Sequence, residues 1–75
     1  MNLGKSIKMA LVMRGMSQKD LAHELEVNRA TVQNWCANNT EPKQGMVNKI
    51  AKALTMTTSY LISLGENYDT GNANT

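Results

Sequence analysis

The stretch QKDLAHELEVNRATVQNW, residues 18–35, decides how this chain folds. It holds two short apolar patterns separated by a tight break. Leu21, Ala22 and Leu25 recur at helical spacing, which predicts a helix over 18–25. Val32 and Trp35, three apart, give the inner side of another helix over about 29–37. Glu26 and Val27 form the turn between them. Two helices meeting at a steep angle through so short a turn have four requirements. A small residue must sit where they touch, and Ala22 does. Apolar residues must point inward from both: Leu21, Leu25, Val27, Val32 and Trp35. The second helix needs an N-cap, and Asn28 stands in that place. Its outer face must be polar with long reach, as Arg29, Gln33 and Asn34 are.

Working outward, Ser17 is a good N-cap for the first of these helices. Asp20 lies three residues on, where a capping box puts an acid. Upstream, Leu3, Ile7, Ala10, Leu11 and Arg14 fall on one stripe and predict a helix over 2–14, closed by Gly15 as a left-handed C-cap. Downstream, Asn38-Asn39-Thr40-Glu41-Pro42 is polar and turn-forming. Met46, Val47, Ile50, Ala51 and Leu54 then form the inner face of a fourth helix. Thr55 to Thr58 is poor helix material, and Thr57 or Thr58 caps a short fifth helix holding Tyr60, Leu61 and Leu64. Beyond Gly65 the chain is polar without periodicity. The expected architecture is all-α: five helices in one domain over 1–65, then a flexible polar tail over 66–75.

Composition narrows the function classes. Seventy-five residues make one domain with a small core, only marginally stable on its own. No apolar run is long enough to span a bilayer, and the N-terminus has no signal-peptide pattern. Cys36 is the only cysteine and His23 the only histidine, which leaves no disulfide and no zinc set. A reducing cytoplasm is the expected setting. The net charge is only +2, but residues 1–65 carry all eight Lys and Arg and four of the six acids. The part expected to fold is therefore more basic than the whole, as a phosphate-binding surface requires. No nucleophile, base and orienter come together, so no enzyme, cofactor or small-molecule ligand is expected.

The segment GMSQKDLAHELEVNRATVQNW, residues 15–35, resembles the core of the Cro/repressor-type helix-turn-helix family, the lambda-repressor-like DNA-binding domains. EPKQGMVNKIAKAL (41–54) is similar to that family's fourth helix and TMTTSYLI (55–62) to its fifth, so the likeness covers about residues 3–64. Three departures stand out. The family usually has Gly where this chain has Glu26, a position favouring φ > 0, so the turn is expected to open differently. The family often pairs an Arg late in the first helix with a Glu ending the third. Here Leu11 and Cys36 stand there, an apolar pair expected to touch. Asn38 replaces the Gly that often follows the third helix, and Asn is the next-best residue for a left-handed conformation.

The resemblance implies binding to double-stranded DNA, with backbone contacts setting position and base contacts setting sequence. Arg29, Ala30, Gln33 and Asn34 are the expected base readers: Arg on guanine, Gln and Asn on adenine, Ala on a thymine methyl. Ser17, Gln18, Asn28, Thr31, Asn39, Thr40 and Lys43 are the expected phosphate contacts. A two-fold dimer reading a palindromic operator is implied, with Met56, Thr57, Thr58 and Tyr60 at the subunit contact. The chain's length is similar to that of Cro-like repressors of phage or prophage type, which act in the bacterial or phage-infected cytoplasm. An antitoxin of a toxin–antitoxin pair and a protein-interaction module on the same fold are the alternatives. Trp35 and Cys36 read as core and His23 as exposed. Met9, Met13, Met16, Met46 and Met56 read as fillers of core gaps, with one or two left over for a subunit contact.

Overall fold

The computed structural model describes the backbone of residues 2–73 and the side chains through Glu66. Five helices follow one another with no strand among the described residues: α1 Leu3–Arg14, α2 Gln18–Leu25, α3 Arg29–Cys36, α4 Gln44–Ala53 and α5 Thr58–Ala73. The all-α expectation holds. None of the described helices is long and apolar enough to cross a membrane.

One device ends the first four helices. Each runs into a residue in the left-handed region: Gly15, Glu26, Asn38 and Thr55, with φ of 66°, 57°, 61° and 55°. Behind each, a pair of backbone bonds closes the helix in a Schellman pattern. At the α2 end, Glu26 N–H donates to His23 O at 3.2 Å and Val27 N–H to Ala22 O at 3.0 Å. Glu26 therefore takes the conformation its glycine relatives would take. The expectation of a differently opened turn is wrong, because two backbone bonds outweigh a side-chain penalty of about 1 kcal/mol. Asn38 behaves as expected. Thr55 does not follow from the sequence, since a β-branched residue is disfavoured there. Its place is secured from a distance. The Arg14 guanidinium donates from Nε to Leu54 O at 2.7 Å and from Nη2 to Thr55 O at 3.2 Å. Arg14 is thus an exposed cap on the end of α4 rather than part of the α1 apolar stripe.

The core is drawn from all five helices. Leu3, Ile7, Ala10 and Leu11 of α1 meet Leu21 and Ala22 of α2, Val32, Trp35 and Cys36 of α3, Val47, Ile50 and Ala51 of α4, then Leu54 and Leu61. Leu25, Val27, Met16, Met46 and Met56 pack against it partly buried. Leu11 and Cys36 are both interior. Met13 and Val12 are exposed, as is Tyr60 on the outer side of α5.

α1 packs against α5 and α3, α2 against α3 and α4, and α4 against α5. The α1–α5 crossing explains why Gly65 does not end the fifth helix. Gly65 lies buried inside α5, where a methyl would fall 2.5 Å from both Asn2 O and Ser6 Oγ. Its N–H donates to Ser6 Oγ at 3.0 Å. Ser6 is fully buried and the only buried polar residue of the described core. The helix continues to Ala73, past the end expected near Leu64. The tail expected over 66–75 falls, for its side chains beyond Glu66, outside the described residues.

Candidate nucleic-acid interface

The reading helix rests on a locally specified frame. Ser17 Oγ accepts from Asp20 N–H at 3.0 Å, and the Asp20 carboxylate accepts from Ser17 N–H at 3.0 Å. This reciprocal capping box starts α2 as the sequence predicts. The Asp20 carboxyl is held below its ordinary pKa first by the backbone bond from Ser17 and then by the Ser17 hydroxyl beside it. At the other end, the left-handed Glu26 turns the chain into extended Asn28, and α3 begins at Arg29. Val32, Trp35 and Cys36 anchor α3 from inside.

A second clamp fixes the far end of α3. Asn38 Oδ1 accepts from Gly4 N–H at 3.1 Å, and Asn38 Nδ2 donates to Asn2 Oδ1 at 3.0 Å. Asn2 Oδ1 also accepts from Lys5 N–H at 2.9 Å and so caps α1. The end of α3 and the start of α1 are tied through one amide. Gly4 permits the approach, since a methyl there would lie 2.7 Å from Cys36 O.

With its inner face held, α3 presents Arg29, Ala30, Gln33 and Asn34 outward, all exposed. They occupy positions i, i+1, i+4 and i+5, one continuous face. Arg29 carries a rigid fork of donors, and Gln33 and Asn34 each carry a donor and an acceptor. Asn34 Oδ1 receives a long bond, 3.4 Å, from Asn39 Nδ2.

The residues expected at phosphates are spread along the rim of this face. Gln18, half-buried, is the first residue of α2, whose first N–H groups lack intrahelical acceptors. Asn28 stands at the N-cap position of α3, yet its side chain makes no capping bond. The cap expected of it is therefore only positional, and its exposed amide is left for other work. Thr31 is half-buried. Asn39, Thr40 and Lys43 are exposed on the α3–α4 connection, where buried Pro42 pins the loop and Lys43 precedes α4. Ser17 divides its hydroxyl between capping and solvent.

An open concavity of about 440 Å³ gathers part of this set. It is lined by Lys8, Gln18, Gln33, Asn34, Cys36, Ala37 and Asn39. Four residues singled out from the sequence meet there: Gln18, Gln33, Asn34 and Asn39. Arg29, Ala30, Asn28, Thr31, Ser17, Thr40 and Lys43 are not among its lining. Lys8 does not follow from the sequence pattern. Its position beside Ile7 and Leu11 marks it as an edge residue of α1, but only the α1–α3 packing shows what that edge adjoins. Burial pushes the Cys36 thiol up, against a smaller opposing effect of Lys8.

A family model described as Helix-turn-helix matches residues 7–61, most of the chain. The chain belongs to this helix-turn-helix family, of the Cro/repressor type. Its class is accordingly that of DNA-binding transcription regulators. No curated protein and no solved structure gave a significant match.

Proposed function

We propose that this chain is a sequence-specific regulator that reads duplex DNA with α3 in the major groove, as a Cro-like repressor does on a palindromic operator. One observation carries the reading: a helix anchored from inside by Val32, Trp35 and Cys36 and tied at its far end through Asn38 turns four exposed side chains, Arg29, Ala30, Gln33 and Asn34, onto a single face. Arg29 pairs with guanine O6 and N7, Gln33 and Asn34 with adenine N6 and N7, and Ala30 meets a thymine methyl. Ser17, Gln18, Asn28, Thr31, Asn39, Thr40 and Lys43 hold phosphates on either side and set the register.

A single α3 covers few base pairs, so two copies on half-sites one helical turn apart complete the site. The α4–α5 turn is the proposed contact. Tyr60 is 44% exposed there, and Met56 is half-buried beside it. Thr57 and Thr58 have structural duties in the same turn. Thr57 Oγ1 accepts from Tyr60 N–H at 3.0 Å, and Thr58 Oγ1 donates to Asn48 Oδ1 at 3.0 Å. They shape the contact, while Tyr60 and Met56 supply its apolar part.

Selection of bound sequences from random duplexes tests the reading. It should return a short symmetric site. On that site Gln33→Ala should weaken binding by ~1–3 kcal/mol while leaving affinity for random DNA unchanged. Equal loss on both would remove Gln33 from the base-reading set.

A further inference from the structure

We propose that Lys8 of α1 is a further attachment point to DNA, holding a backbone phosphate in the concavity between α1, the start of α2 and the second half of α3. The inference rests on the DNA-binding reading above and adds a helix to the footprint that the helix-turn-helix itself does not include.

The lining of the concavity carries the argument. It offers one ammonium, from Lys8, and four carboxamides, from Gln18, Gln33, Asn34 and Asn39, with no carboxylate. Lys8 is exposed and has no acidic partner among the described residues. A cation together with carboxamides, each able to donate N–H, lining one space suits a singly charged oxyanion. The first turn of α2 adds the positive end of a helix dipole at Gln18.

A second concavity of about 410 Å³ gives the contrast. It is lined by Glu24, Leu25, Glu26, Lys49, Lys52 and Ala53, between α2 and α4. An anion there would meet two carboxylates along with two lysines. The two hollows are similar in size, and of the two only the first is free of acids. That one shares Gln33 and Asn34 with the proposed reading face, so the anion beside them is a phosphodiester of the same duplex.

Binding of the full chain to a selected duplex and to a random one, followed by fluorescence anisotropy from 50 to 200 mM salt, provides the test. Lys8→Gln should weaken both complexes by the same factor. It should also lower the slope of log Kd against log salt by about 0.9, the value for one B-DNA phosphate. The affinity gap between wild type and variant then narrows about three- to fourfold across that salt range. Lys8→Arg should keep the wild-type slope. Lys49→Gln removes the same charge from the other hollow and should leave the slope unchanged. A Lys8→Gln slope equal to wild type, or a fall matched by Lys49→Gln, would overturn the assignment of Lys8 while DNA binding stood. Absence of salt-dependent duplex binding by the wild type would overturn the DNA-binding reading itself, and Lys8 with it.

Discussion

Gly4→Ala and Gly45→Ala are the same chemical change in the first turns of two helices, and they should have opposite effects. At Gly4 the added methyl falls 2.7 Å from Asn38 Oδ1 and Cys36 O, and 2.8 Å from Trp35 O. Two of these are backbone carbonyls of the α3 end, which cannot rotate away. The third belongs to an amide held by Gly4 N–H and by Asn2. α1 must therefore retreat from α3. Overpacking of this kind costs ~1–3 kcal/mol, and losing the Gly4–Asn38 bond adds about 0.5–1.5 kcal/mol. A loss of about 2–4 kcal/mol is a large part of what a domain of this size has. At ~4–8 °C per kcal/mol, Tm should fall by at least about 8 °C. At Gly45 nothing lies within 4 Å. There the methyl only restricts the unfolded chain and favours helix, a gain of about 0.5–1 kcal/mol and a Tm rise of a few degrees. Thermal and urea unfolding followed by far-UV circular dichroism decides the matter. If Gly4→Ala were as stable as wild type, the close packing of α1 on the end of α3 would be wrong. The fixing of the reading helix would then need another explanation.

Three further outcomes follow from particular residues. Glu26→Gly should stabilise by about 0.5–1 kcal/mol, because it relieves a left-handed side chain and leaves the Schellman bonds in place; a drop in Tm would contradict the φ of 57°. Asp20 has its folded pKa lowered by the Ser17 bonds, so its stabilising contribution is present above the ordinary carboxylate pKa and lost as pH falls through the lower folded value. Asp20→Asn should flatten that acid limb of the stability profile, and an unchanged limb would remove the capping box as its cause. Cys36 is buried with a raised pKa, so a disulfide reagent at neutral pH should modify it only at the rate of unfolding; immediate modification of folded protein would contradict its interior position.

The residues legible in the sequence are those whose placement follows from spacing along one helix. Leu21, Ala22, Val32 and Trp35 are buried because periodicity leaves them no other side. Gly15 and Asn38 close helices because their own conformational freedom permits it. The Ser17–Asp20 box needs only a separation of three residues. What escaped depends on partners far along the chain. Thr55 is held left-handed by Arg14, 40 and 41 residues from its two acceptors. Gly65 looks like a terminator until Ser6, 59 residues away, shows that it is a crossing point. Glu26 differs for another reason: its intrinsic preference against φ > 0 is overridden by two backbone bonds that its residue type does not reveal. The candidate site divides in the same way. The exposed face of α3 is a matter of local pattern, whereas Lys8 joins Gln18 and Asn39 only through the packing of α1 on α3.

If α3 and its rim are the surface that meets DNA, an amide chemical-shift map of the labelled protein titrated with a selected duplex shows it directly. The largest changes should fall at Gln18, Asn28 to Asn34, Asn39 to Lys43 and Lys8, with smaller ones at Tyr60 as two copies meet. Changes concentrated instead on Glu24, Lys49 and Lys52, across the α2–α4 hollow, would contradict it.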